Sequence, residues 1–297
     1  MIKVHKAKKK PSALISDKTI KWVERALQER KNHKARNHIY GEETIRKLLR
    51  SIYSDKCGYC ESHINPSHSY MRIDHYRPKG RVRENSEHPG YYWLVYEWSN
   101  LISCCEVCNM EKGDYFPLEN EKDRLFQPQK NMAEWKADSL SFCSEKPLFL
   151  HPEISTPENH LKVSICGEIR EKNGSIHGKE SINICKLNRR GLILNRKKAI
   201  DGIRTELKKT ALSIKRDIEK GQINEENFLD TVRERFLSEF KLLKMMQNPN
   251  KEYSLMGKNM LKNFESFFIE TLPDGDPKDI LIKAFALFFE PDSSPLK

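Results

Sequence analysis

Cys57-Gly-Tyr-Cys60, Ile73-Asp-His-Tyr-Arg-Pro-Lys79 and Cys105-Glu-Val-Cys-Asn-Met-Glu-Lys112 decide the reading of this chain. Two residues between cysteines let one tight turn aim both sulfurs at a single ion, and zinc takes four such ligands in a tetrahedron. The two pairs, Cys57/Cys60 and Cys105/Cys108, therefore predict a structural Zn²⁺ with no open coordination position. Cys104 competes as a ligand, but its spacing to Cys108 is wrong for a C-x-x-C turn. Cys143, Cys166 and Cys185 read as ordinary buried thiols. The bland alternative is a set of unrelated surface thiols. A structural zinc contributes about 10–16 kcal/mol, which explains how a segment with few apolar residues between Cys57 and Pro117 stays folded.

Outward from this segment the pattern changes. Residues 17–36 read as a helix capped by Ser16 or Asp17, with Ile20, Val23, Ala26 and Leu27 at helical spacing. Ile45, Leu48, Leu49 and Ile52 mark a second amphipathic helix. Met71 to Tyr76 reads as a strand stopped at Arg77-Pro78, because the residue before proline avoids the helical region. The aromatic run from Tyr91 to Ile102 predicts a helical start. HLKVSI and GEIREKNGS, around Cys166-Gly167, predict a hairpin, and the chain from about Asn188 reads as mostly helical. The expected organisation is a basic helical segment at 1–56, a zinc-stapled core at 57–125, a linker and hairpin region at 126–187, and a helical region at 188–297. The fold class is α+β, with a small core embedded in a mostly α-helical protein.

Of 297 residues, 37% are hydrophobic and 32% charged, and the net charge is +11. Residues 1–56 hold sixteen Lys/Arg against six Asp/Glu, and residues 186–217 hold eleven against three. Two basic blocks on an otherwise acidic chain point to a polyanion partner whose counterions they displace. Solvated helix faces and a loose basic tail are the bland reading, with Lys6 and Lys8 to Lys10 as a disordered arm. No run approaches the roughly 18 apolar residues of a membrane span. No apolar region follows the basic start, so a cytoplasmic protein without a membrane partner is expected.

Between the cysteine pairs, Asp74-His75 ends the expected strand and Trp98-Ser-Asn-Leu101 precedes the second pair. This order resembles the HNH (ββα-metal) endonuclease motif over about 56 residues. The resemblance implies His75 as general base, since an imidazole titrates near neutrality, and Asn100 as the residue that orients the catalytic loop. It implies a second, catalytic cation, Mg²⁺ or Mn²⁺, between Asp74 and Asn109. Asn109 stands where the most familiar pattern has His. Arg77, Lys79 and Lys112 are the candidates to grip phosphates. Neighbours on a strand point to opposite faces, so Asp74 and His75 serve one phosphate only from two sides or from a twisted strand end. His63 and His68 read as surface or substrate-side residues, and Trp93 and Trp98 as core rather than base-stacking platforms.

DHYRPKG, YYWLVYEWSNL and CNMEKGDYFPL, with PLFLHPEISTPENHLKVSICGEIREKNG and INICKLNRRGLILNRKK after them, resemble a narrower group. These are the PtuB-type HNH nucleases of Septu and retron-linked anti-phage defence, and the resemblance covers roughly residues 41–200. It implies a cutting subunit acting on nucleic acid, DNA or a tRNA, beside a PtuA-like ABC-type ATPase. In retron systems a reverse transcriptase with its DNA–RNA hybrid joins them. Two other readings stay open: a non-catalytic zinc module that binds nucleic acid or a protein partner, and a stand-alone restriction-type HNH nuclease. The last helix, with Ile280, Leu281, Ala284, Phe285 and Phe288, either docks a partner or closes its own core.

Overall fold

A computed structural model describes residues 1–65 and 70–289, so the expectation for His68 lies outside the described residues. The chain forms two compact units, one of residues 1–162 with 169–188, the other of 163–168 with 189–297. The fold is mixed and mostly helical, with two two-stranded sheets.

The first unit starts with a segment that packs rather than trails. Met1 and Ile2 are buried, the Val4 amide donates to the Pro152 carbonyl at 2.8 Å, and Lys6 Nζ reaches the Trp98 and Leu101 carbonyls at 2.9 and 2.8 Å. Lys6 also pairs with Glu153 at 2.7 Å and Lys10 with Glu97 at 2.5 Å. This corrects the expectation of a disordered arm; Lys8 and Lys9 are exposed, and Lys8 pairs with Asp138 at 2.6 Å. Helix α1 (Asp17–Glu29) is capped by the Ser16 hydroxyl, which accepts from the Thr19 amide. It ends sooner than the periodicity implied, because Arg30 takes a φ of 51° and the chain turns into a 3-10 stretch. After α2 (Asn37–Tyr40), helix α3 (Glu43–Tyr53) buries Ile45, Leu49 and Tyr53, one face at four-residue spacing.

Strand β1 (Met71–His75) pairs antiparallel with β2 (Leu101–Cys105), with Met71 opposite Cys105 and His75 opposite Leu101. Helix α4 (Glu106–Lys112) follows directly and packs on both strands. The aromatic run before β2 forms two short 3-10 turns, Tyr92–Leu94 and Trp98–Asn100, instead of the expected helical start. Trp93 and Trp98 are 2% exposed, which places both in the core. Helix α5 (Leu140–Cys143), a hairpin of β3 (Leu161–Val163) and β4 (Ile169–Glu171), and α6 (Ile176–Ile184) come next. Gly167 in that hairpin has a φ of +83°, and a Cβ there would lie 2.8 Å from both the Ile193 carbonyl oxygen and the Lys197 nitrogen. Only glycine fits.

The second unit is organised by α7 (Arg190–Glu219), whose buried Leu192, Arg196, Ile200, Ile203, Leu207, Ala211 and Ile214 recur every three or four residues. Helices α8 (Glu225–Arg235), α9 (Leu237–Met246), α10 (Ser254–Lys262) and α11 (Asp276–Phe289) complete it. Ile280, Leu281 and Ala284 of α11 are buried, and Phe285 stacks on Phe264 with ring centroids 4.2 Å apart. Phe288 meets Phe240 at 4.7 Å. These side chains close the unit's own core. No helix among the described residues is long and apolar enough to cross a membrane.

Candidate active site and four-cysteine centre

The Sγ atoms of Cys57, Cys60, Cys105 and Cys108 all lie within 4.8 Å of one another, and Cys60 and Cys105 are 3.9 Å apart. A tetrahedron of Zn–S bonds of about 2.3 Å has edges of about 3.8 Å, so this cluster fits a metal ion such as zinc. Two local structures build it. The first knuckle turns at Gly58, whose amide donates to the Ser103 carbonyl at 2.8 Å; a Cβ there would lie 2.6 Å from the Tyr53 ring. The second knuckle is the start of α4, where Cys105 Sγ accepts from the Cys108 amide at 3.5 Å. Burial pushes the Cys57 thiol well up, while hydrogen bonds from Cys105 and Cys108 pull the Cys60 thiol well down. Thiols this close compete for one another's hydrogens, and a divalent cation that replaces those hydrogens removes the conflict.

Cys185 is the residue that spacing could not find. It is fully buried, and interaction with its thiol helps to push the Cys108 thiol up although 77 residues separate them in sequence. Cys104 points elsewhere: its Sγ lies 3.7 Å from the Arg72 carbonyl and 3.8 Å from Asn109 Oδ1.

On the sheet above this centre the register puts Asp74 and His75 on opposite faces. His75 is 3% exposed. Its Nε2 lies 3.0 Å from the Val95 carbonyl, its Nδ1 lies 3.4 Å from Lys79 Nζ, and the Tyr40 ring stands edge-on at 4.7 Å. A carbonyl only accepts, so Nε2 carries the proton and Nδ1 is the unprotonated nitrogen, which accepts from the Lys79 ammonium. Burial holds this imidazole well below its ordinary value, with the Lys79 charge adding to the effect.

Asn100 ties the strand end to the loop before β2. Its Oδ1 accepts from the Arg77 amide at 2.8 Å, and its Nδ2 donates to the Arg77 and Leu94 carbonyls at 3.1 and 3.2 Å. All three bonds are to backbone, so it fixes geometry and points at no solvent.

The other face differs from expectation. Asp74 accepts from the Tyr59 hydroxyl at 2.6 Å and pairs with Lys112 Nζ at 3.1 Å. Lys112 is fully buried and also donates to the His75 carbonyl at 2.9 Å. An ammonium therefore stands where a divalent cation at Asp74 would, and Asn109 Oδ1 faces the Cys104 thiol. This arrangement of Asp74 and Asn109 does not fit a bound Mg²⁺ or Mn²⁺. Lys112 is committed to Asp74 and is not placed to grip a phosphate. Arg77 is likewise committed: its Nε donates to Glu145 at 2.7 Å, its Nη2 to the Phe142 carbonyl at 3.0 Å, and Phe142 lies under the guanidinium. Of the three cations named for phosphate, only Lys79 is half-exposed beside His75.

No protein-family model matches the chain. Over 178 residues it is 38% identical to the Septu protein PtuB of Bacillus mycoides (strain KBAB4), an alignment covering 58% of this chain and 56% of that protein. It is 24% identical over 232 residues to the Septu protein PtuB of Bacillus thuringiensis, covering 78% and 73%. A 153-residue stretch is 28% identical to the Septu protein PtuA of Bacillus mycoides (strain KBAB4), covering 50% of this chain and 20% of that one. The chain thus spans a little over half the length of the first of these relatives. With its paired strands, following helix and four-cysteine centre in place, the chain is a homologue of the Septu protein PtuB.

Proposed function

We propose that this protein is an HNH-type nuclease that hydrolyses phosphodiester bonds with His75 as general base, acting as the effector of an anti-phage defence complex. The observation that carries the reading is the orientation of His75. Its Nε2 is fixed on the Val95 carbonyl, its Nδ1 is left unprotonated, and Lys79 Nζ is 3.4 Å away. In the reaction Nδ1 takes a proton from the water that attacks phosphorus. The phosphorus bond to the leaving oxygen breaks on the opposite side, that oxygen takes a proton from solvent, and the Lys79 ammonium offsets the charge gathering on the phosphoryl oxygens. Asn100 holds the strand end that carries His75. The four-cysteine centre, filled by zinc, anchors β2 and α4 and takes no part in the chemistry. No step passes through a cation at Asp74.

The Septu relatives support a partner of the PtuA type, proposed here as an ABC-type ATPase that controls cleavage. The resemblance to retron-linked members extends the proposal to a reverse transcriptase and its DNA–RNA hybrid. The basic block at residues 1–56 supports nucleic acid, DNA or tRNA, as the substrate. Two observations favour a second reading, a zinc module that binds without cutting: His75 is 3% exposed and Asp74 is already ion-paired.

Incubating the zinc-loaded protein, alone and with its PtuA-type ATPase, with duplex DNA, single-stranded DNA and total tRNA tests the proposal. Cleavage of at least one substrate, dependent on the ATPase partner, is expected. Cleavage without any ATPase supports the stand-alone alternative, and binding without cleavage under every condition supports the zinc module.

A further inference from the structure

Trp22 is half-buried on α1, and two guanidiniums stand over its ring: Arg25 at 5.2 Å and Arg36 at 5.1 Å from the centroid. A cation–π contact at an exposed site is worth about 0.5–1 kcal/mol. That is enough to pre-orient a long side chain, but two like charges gathered on one ring also repel. Little compensates them. Glu29 accepts from Arg25 Nε at 2.7 Å but shares its carboxylate with His33 Nδ1 at 2.8 Å. Arg36 is exposed and has no carboxylate partner among the described residues. Two pre-oriented guanidiniums with one shared carboxylate make an anion site.

A second observation says which anion. The clamp is joined to His75 by continuous contact. The Arg36 amide donates to the Tyr96 hydroxyl at 3.2 Å, and His33 Nε2 meets the same hydroxyl at 3.1 Å. The Tyr96 ring lies 6.5 Å from Tyr40, and Tyr40 lies 4.7 Å from His75. Lys79 Nζ sits 5.5 Å over the Tyr40 ring. A single polyanionic strand can therefore meet cations at both ends of one rigid aromatic path, with His75 at one of those ends.

We propose that Arg25 and Arg36, held on Trp22, form a phosphate clamp that seats the backbone of a nucleic-acid strand whose neighbouring phosphates reach Lys79 and His75. The clamp deepens the nuclease reading and rests on it for what happens at His75, but binding itself is separable from cleavage.

The test titrates a fluorescein-labelled strand of about 20 nucleotides, single and as duplex, into the full-length zinc-loaded chain. Anisotropy is read between about 50 and 200 mM salt. Arg25→Gln combined with Arg36→Gln is expected to weaken binding about tenfold or more and to reduce the log–log salt slope by about one per arginine. Trp22→Leu is expected to weaken binding without reducing the slope, since both charges remain. Should that variant unfold, the exposed Arg36→Gln decides alone. Lys241→Gln, exposed on α9 and outside both basic blocks, is the charge control and should leave affinity unchanged. Unaltered affinity and slope in the double arginine variant overturn the clamp. So does an equal loss in Lys241→Gln, and so does an absence of nucleic-acid binding, which would turn the patch toward an acidic protein partner. Weakened binding in the arginine variants, with no cleavage by the parent complex under any condition, would reject the nuclease reading and leave the clamp standing.

Discussion

Lys112 is the side chain whose placement changes the chemistry most. Its ammonium is fully buried between Asp74 and the His75 carbonyl, and a buried charge persists only when paired. Lys112→Met removes the partner and leaves Asp74 buried with only the Tyr59 hydroxyl. The expected loss is about 3–5 kcal/mol of stability, seen as a lowered denaturation midpoint. If the ammonium and a divalent cation compete for Asp74, added Mn²⁺ stabilises Lys112→Met more than the parent; equal Mn²⁺ shifts in the two proteins would sink the competition idea. The residue pattern could name Asp74, His75 and Lys112 but not their pairing. The contact between Lys112 and Asp74 spans 38 residues and depends on how α4 lies on β1, which no local spacing encodes. Asn100 hydrogen-bonds backbone groups of Arg77 and Leu94, contacts across 23 and 6 residues that its place in the motif does not spell out.

At the scale of elements, the cysteine turns were legible and the aromatic run was not. Gly58 and the C-x-x-C spacing write the knuckle geometry into local sequence. In the Tyr91–Ile102 run every residue but the half-buried Ser99 is buried, so periodicity has nothing to report. Helix α1 was over-extended for a related reason: nothing in Arg30 itself announces a positive φ. The four thiols are expected to hold one zinc per chain by elemental analysis, with Cys57→Ser losing it and lowering thermal stability. Full zinc occupancy in that variant would count against the centre. At the hairpin, Gly167→Ala forces a Cβ onto two backbone atoms 2.8 Å away at a φ of +83°. A loss of about 1–3 kcal/mol is expected by chemical denaturation; a neutral result would show that the hairpin shifts freely.

For the whole molecule, buried histidines set an acid limit. His151 donates from Nε2 to the Ser99 carbonyl at 3.2 Å and accepts at Nδ1 from the Glu153 amide at 3.1 Å, so only the neutral ring fits. Burial first, and then the Lys6 charge, hold it well below its ordinary value, and burial does the same to His75. Above about pH 6.5 neither folded nor unfolded chain protonates these rings, and their contribution is flat. As the pH falls below that value the unfolded chain binds protons that the folded chain refuses. Stability is then lost at up to about 1.4 kcal/mol per pH unit for each ring, until the folded values are reached. Melting temperatures between pH 5 and 7 should fall toward acid, and His151→Asn should flatten that slope by about one proton. A slope unchanged by the substitution contradicts the assignment. The basic block at residues 1–56 reads as one unit by charge, yet its cations divide. Lys6 is buried against Trp98 and Glu153, whereas Arg25 and Arg36 face outward on one ring. Charge counting cannot separate these fates because burial is decided by the fold.

The central claim is that His75 performs the cut while the cysteine centre only holds it in place. Single-turnover cleavage by the ATPase-bound complex, comparing the parent with His75→Ala, tests it most directly when zinc content and nucleic-acid binding are measured on the same samples. Cleavage reduced about 10²–10⁴-fold in His75→Ala, with one zinc retained and binding unchanged, is the predicted result. Cleavage persisting in His75→Ala at the parent's rate contradicts the account.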